Sequence, residues 1–354
     1  MRRRTLLCAA FTLAILVMAA PAYACGGLLS PNGSVNLIRT TTLAAYHNGV
    51  EHYVTSFRFV GGGGAKFGSI VPLPGIPSKV ERGGDWTLQR LVREVRPPQR
   101  EIFALAAGTP TAKDAEVLLK TRIDALDITV LKGGGGEVAR WATHNGFELP
   151  PDAPEVLDFY ADRSPIFMAA AFDSKAARQQ SLNEGDGTPI HLTIPTPAPW
   201  VPLRILGLGK KAAELISADV FLLTDRAPSM LPAPAGFRSG DARPGGPGMK
   251  LDRSEPASDQ LMADLRADKG MEWMPKSMWF SYINLGAAAA ELRYDLALDP
   301  SGAGQPSYVA AGLTSALRRL ADASPAATGW AIALAAALLI GTAATLATRR
   351  ASVR

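Results

Sequence analysis

Cysteine is nearly missing from this chain: 354 residues contain two, Cys8 and Cys25, too few for a disulfide scaffold or a four-thiolate zinc site. Histidine is almost as scarce, with His47, His52, His144 and His191 the complete set, and none stands in an HExxH or CxxC context. His47 and His144 each precede Asn-Gly, a turn signal that needs no metal to explain it. A GxSxG elbow and an SxxK pair are both absent, which removes the simplest routes to a serine hydrolase. Lys132 precedes Gly133 to Gly136, the reverse of the Walker order, and no GxGxxG occurs, so this run reads as a flexible turn. Glu184-Gly185-Asp186-Gly187 lacks the alternating acids of a calcium loop and reads as a solvated turn. No motif calls for a cofactor or a metal.

Charge is missing from one long stretch. Between Ala323 and Thr348 no residue is charged, and Arg349 and Arg350 follow at once. A bilayer core of roughly 30 Å needs about 20 apolar residues in helix, and the segment 325–348 is expected to supply a transmembrane helix with 349–354 as a cytoplasmic tail. Arg349 and Arg350 act as the membrane stop, on the cytoplasmic side that the positive-inside rule assigns them. At the other end Arg2, Arg3 and Arg4, the apolar run Leu6 to Met18 and Ala22-Tyr23-Ala24 have the form of a signal peptide over 1–24, cut between Ala24 and Cys25. The expected product is a single-span protein of the cytoplasmic membrane with its bulk, 25–324, outside the cytosol. Gly329, Ala333, Ala337 and Gly341 lie four apart in the span, a row of small residues that would suit a homodimer.

The formal charge of +5 then reports topology rather than partners. Six of the arginines sit in the two ends, which carry no acids, so the remaining 300 residues have a net charge of −1. No basic stripe is left to neutralise phosphates, which excludes nucleic acid as a partner class. The bilayer is one expected partner; an envelope protein or a cell-wall component is the other.

Along the ectodomain the pattern is α+β, mostly antiparallel. Val35 to Tyr46, the Asn48-Gly49 turn and the alternation of Tyr53, Thr55, Phe57 and Phe59 predict a hairpin, extended as a meander by a third strand, Lys66 to Leu73. Leu88, Leu91, Val92 and Val95 predict an amphipathic helix stopped by Pro97-Pro98. A strand over Arg122 to Leu131 is expected next, then helices at Glu137 to Thr143 and Pro154 to Asp162, and a core strand at Ile166 to Phe172. The four prolines between His191 and Leu206 favour edge strands or extended connections over central strands. Ala218 to Thr224 reads as a buried strand, and 226–256, dominated by Pro, Gly, Ala and Ser, as a long exposed loop. A helix near Ser258 to Ala267, a strand at Ser277 to Leu285, the alternation Leu292, Tyr294, Leu296, Leu298 and a juxtamembrane helix over 307–321 complete the body. The tryptophans at 86, 141, 200, 273 and 279 are spread as packing residues would be.

Cys25 is the one candidate nucleophile. Cleavage after Ala24 would place its thiol beside a free α-amine that can act as its base. The alternatives are lipidation, against which Ala22 and Tyr23 speak, and a structural or redox-paired thiol. Two functional readings follow: a non-catalytic binding or scaffold module held at the membrane, and an envelope enzyme or redox protein using Cys25.

Cys25-Gly26-Gly27, Ser56-Phe57-Arg58-Phe59 and Phe67-Gly68-Ser69-Ile70-Val71-Pro72-Leu73-Pro74 carry a family resemblance, as do Glu137 to Trp141, Asn145 to Pro150 and Pro165 to Ala170. The chain resembles the bacterial domain of unknown function 2330 family over most of the ectodomain. The resemblance implies an exported or membrane-anchored envelope protein, and it brings no activity and no site residues with it.

Overall fold

Asn48 and Gly49 take positive φ values of 51° and 80°, the pair a two-residue hairpin turn of matching twist demands. They join β2 (Val35–His47) to β3 (Val50–Gly61) as expected. The computed structural model describes residues 28–29, 35–61, 68–96, 115–172, 188–237 and 244–314. The expected signal segment with Cys25, the charge-free stretch with Gly329, Ala333, Ala337 and Gly341, and Arg349 and Arg350 lie outside the described residues. One compact unit extends to Ala311 and a second covers Gly312–Arg354. Among the described residues no helix is long and apolar enough to cross a membrane.

The hairpin belongs to an eight-stranded sheet. Its other members are β5 (Lys79–Arg82), β9 (Ile190–Pro195), β11 (Leu215–Thr224), β13 (Ala233–Ala235), β14 (Gly245–Pro256) and β15 (Trp279–Ala288). The order is β13-β14-β15-β11-β2-β3-β9-β5, antiparallel except where β11 meets β2 and β13 meets β14. One face is covered by α1 (Thr87–Val95) and α4 (Asp259–Ala267), which bury Leu88, Leu91, Leu261 and Leu265 against Leu43, Val54, Phe221 and Phe280. The strand period of two sends Tyr53, Thr42 and Val220 to the opposite face. There they meet Ile70 and Val71 of β4 (Gly68–Pro72), together with Val201, Leu203 and Ile205.

β4 corrects the expected meander. It leaves the hairpin's sheet and lies between β1 (Leu28–Leu29) and β8 (Ile166–Phe172) in a five-stranded sheet completed by β7 (Leu126–Lys132) and β6 (Glu116–Ile123). The single strand expected over Arg122 to Leu131 is a β6–β7 hairpin, broken by Asp124 at φ 50°. Aspartate tolerates that left-handed conformation, and its turn is invisible in a run of otherwise strand-forming residues. Two helices, α2 (Gly135–His144) and α3 (Ala153–Ala161), fall near their expected positions and pack together.

The largest correction concerns 226–256. In place of an exposed loop stand β12 (Ser229–Leu231), β13 and the 12-residue β14, paired to β15 from Met249 to Pro256. A register shift between Leu251 and Arg253 interrupts the alternation, and most side chains of β14 face solvent, so the strand carries no period-two apolar signal. Gly248, at φ 75°, passes so close to β15 that a Cβ would lie 2.6 Å from the Gly286 carbonyl oxygen. Within His191 to Leu206, β9 is no edge strand, since it lies between β3 and β5 and Pro195 is its last residue, whereas Pro197, Pro199 and Pro202 fall in the connections around β10 (Trp200–Val201), an edge strand of its sheet. Of the alternation from Leu292 only Leu296–Asp299 is a strand, β16, in a three-stranded sheet between β10 (Trp200–Val201) and β12. Of the expected helix over 307–321 the described residues end at Thr314, which is helical; 308–312 before it form a turn, with Gly312 at φ 70°.

Candidate functional site

Three of the four histidines share one face of the large sheet. In the β2–β3 register His47 pairs with Val50 and Ala45 with His52, which puts both imidazoles on the side of Ala45 and Val54. His191 of β9 pairs with Val54, and Glu81 of β5 pairs with His191, so the row continues across four adjacent strands. His52 Nδ1 lies 2.9 Å from His191 Nε2. On the far side His191 Nδ1 is 3.5 Å from Glu81 Oε1, an electrostatic contact too long to be a good hydrogen bond. Trp273, from the connection between α4 and β15, stacks on His52 with ring centroids 3.5 Å apart and planes inclined by 5°.

Burial keeps both imidazoles neutral. His191 is 1% exposed, and desolvation, helped by Lys79, depresses its pKa to about 4. Desolvation followed by repulsion from His191 and His47 brings His52 to about 3, against a small opposing pull from Glu81. A neutral imidazole has one N–H, and the Glu81 carboxylate favours it on His191 Nδ1. His191 Nε2 then accepts from His52 Nδ1–H, and His52 Nε2 keeps its lone pair at a half-buried position. The string can pass or hold a proton and can offer one nitrogen ligand. Among the described residues no group of three or more His, Cys, Asp or Glu is placed to hold a metal ion.

Asn48 and Asp225, the two partners of His47 at the end of the row, line a cleft of about 510 Å³. Its walls are the β2–β3 turn (Tyr46, Asn48, Gly49), Pro197 beyond β9, Asp225 and Arg226 beyond β11, and Asp299 to Ser301 beyond β16. His47 Nδ1 donates to Asp225 Oδ1 at 2.7 Å, and its Nε2 accepts from Asn48 Nδ2 at 2.8 Å. Asp299 accepts from the Ser301 amide and hydroxyl and from the Gly304 amide, which locks its turn.

Glu51 pairs with Tyr46 across the hairpin, on the sheet face opposite the histidines. It is 1% exposed, and neither carboxylate oxygen has a hydrogen-bond partner. Desolvation raises its pKa to about 8; the nearby Trp200 amide lowers it a little without reaching hydrogen-bond geometry. Glu51 is therefore protonated at neutral pH.

The other buried acids serve the fold. Asp268 accepts from the amides of Asp85, Trp86 and Thr87 and from the Thr87 hydroxyl, capping α1 from a different part of the chain. Those bonds more than offset its desolvation and hold its carboxyl below the usual range. Asp219 bridges Arg96 and the Tyr282 hydroxyl. The glycine run before α2 holds no phosphate-like cradle, because Glu137 already accepts from the Gly134 amide and Gly135 packs against Asp158.

In the sequence the four histidines stand singly, none in a metal or catalytic motif. The spacing of His47 and His52 about Asn48-Gly49 was enough to place them on one hairpin face. His191, Glu81 and Trp273 arrive only through long-range pairing, and Glu51 reads in sequence as an ordinary polar strand residue.

No curated protein and no solved structure matches this chain. A family model described as an uncharacterized protein conserved in bacteria, domain of unknown function 2330, matches residues 19–227, more than half of the chain and every strand from β1 to β11. The chain belongs to the domain of unknown function 2330 family.

Proposed function

We propose that this protein is a non-catalytic binding or scaffold module of the bacterial envelope, exported and held at the outer face of the cytoplasmic membrane by its C-terminal segment. The observation that carries the reading is the position of the boundary at Ala311: the compact unit ends with eleven residues still to run before the charge-free stretch 323–348. An anchor needs to be separable from the body it holds, and an uncharged stretch of this length closed by Arg349 and Arg350 meets the requirement of a span. The binding role is supported by the cleft at the strand ends, in the size range of small-molecule sites, roughly 300–1,000 Å³. The deeply buried Asp219, Asp268 and Asp295 are each engaged by donors that hold the fold, which fits a rigid platform.

Fractionation of cells expressing the full chain and a version ending at Ser324 tests the anchor. The full chain is expected in the membrane fraction, released by detergent and not by high salt, and the shortened chain in the soluble extracytoplasmic fraction. Recovery of the intact full chain without detergent would refute the tether. Mass spectrometry of the mature N-terminus should find Cys25 first.

A further inference from the structure

We propose that the cleft at the end of the eight-stranded sheet binds an uncharged saccharide, the chemistry that a cell-wall glycan presents; the inference rests on the envelope reading above. Four chain segments converge there, and their polar groups are fixed before any ligand arrives. Asn48 is held at φ 51° by the hairpin turn and spends one amide hydrogen on His47, which leaves its second N–H and its carbonyl oxygen for a ligand. Asp225 is oriented by His47 through Oδ1, and Oδ2 has no partner among the described residues. The Arg226 guanidinium lines the same cleft and makes no hydrogen bond or ion pair among the described residues.

A planar donor, a carboxylate acceptor and a carboxamide that does both suit vicinal hydroxyls, each of which donates and accepts. The rings of Pro197 and Pro300 add rigid apolar surface for sugar C–H groups. Two aspartates against one arginine leave the lining with a formal charge of −1, which disfavours phosphate and carboxylate ligands. Groups locked by Asp225–His47–Asn48 and by the Asp299 turn need little further ordering on binding, so affinity is not spent on fixing them.

The test is calorimetric titration of the full chain in detergent micelles with the uncharged β-1,4-linked dimer of N-acetylglucosamine, and separately with Ca²⁺ alone. Saturable sugar binding is expected, weakened about tenfold by Asn48→Gly and by Arg226→Ala, a loss of about 1.4 kcal/mol each. Glycine takes the positive φ of position 48 without strain, and Lys132→Ala, in the five-stranded sheet, should bind as the parent does. Absence of saturable sugar binding, equal binding by the cleft variants, or binding of Ca²⁺ with sugar bound only in its presence would each overturn the proposal. Sugar binding in micelles combined with recovery of the intact chain from cells without detergent would sink the envelope reading and leave the cleft standing.

Discussion

Two carboxylates lie buried on the same side of the large sheet, near enough that both raise the pKa of Tyr53, and the protein treats them in opposite ways. Asp295 is 0% exposed and accepts from the Tyr160 hydroxyl at 2.8 Å, the Leu203 and Arg204 amides at 2.7 and 2.9 Å, and Arg163 at 2.5 Å. It ties α3, the segment after β10 and the approach to β16 into one knot. Glu51, equally buried, is given no donor and gives up its charge instead. Burial alone therefore does not make an acid structural; the donors supplied to it do. A protonated, unpaired carboxyl next to the cleft wall is a cost that the fold itself does not require.

Asp295→Ala should break that contrast most violently, with a loss of about 3–5 kcal/mol in urea unfolding, because two backbone amides and the Tyr160 hydroxyl lose their acceptor and Arg163, which keeps the Phe159 and Ala310 carbonyls, loses its counter-charge. Glu51→Gln should do the reverse. The folded protein holds a proton on Glu51 that the unfolded chain loses above its ordinary value of 4.5, so this group makes stability fall as pH rises from about 4.5 to about 8, by about 1.4 kcal/mol per unit at most. Glutamine cannot ionise, and the variant's advantage over the parent should widen across that window and level off above it.

The histidine string sharpens the comparison with the opposite sign. His52 and His191 are depressed to about 3 and 4 from 6.5, so the unfolded chain binds more protons between those values and stability falls as pH drops below about 6.5. The parent's stability against pH should rise to a maximum between about 6 and 7, and His191→Gln should flatten its acid limb. A smaller loss, about 2 kcal/mol, is expected from Asp268→Ala, at the upper end for an N-cap, since that carboxylate serves the three successive amides of Asp85, Trp86 and Thr87 that lead into α1. Thermal unfolding at matched pH reads both.

Local chemistry was legible where it decided structure locally. Asn48-Gly49 and the Leu88–Leu91 face placed a hairpin and a helix near their observed positions, and the helix expected near Ser258 to Ala267 forms with the Ser258 hydroxyl accepting at its start. It failed where the sheet overrode composition. Strand β14 pairs through backbone groups that glycine and proline neighbours disguise, and β4 has the same residues whichever sheet it joins. The candidate site follows that division. His47 and His52 share a face by hairpin register, whereas the approach of His191, Glu81 and Trp273, and the silence around Glu51, depend on strands more than 25 residues apart in sequence.

Topology carries the whole functional reading, and fusion of alkaline phosphatase, an enzyme active only outside the cytosol, tests it most directly. A fusion after Ala311 should be active on intact cells and a fusion after Arg354 inactive. Activity from both, or from neither, would contradict a domain held outside the membrane by a single C-terminal span.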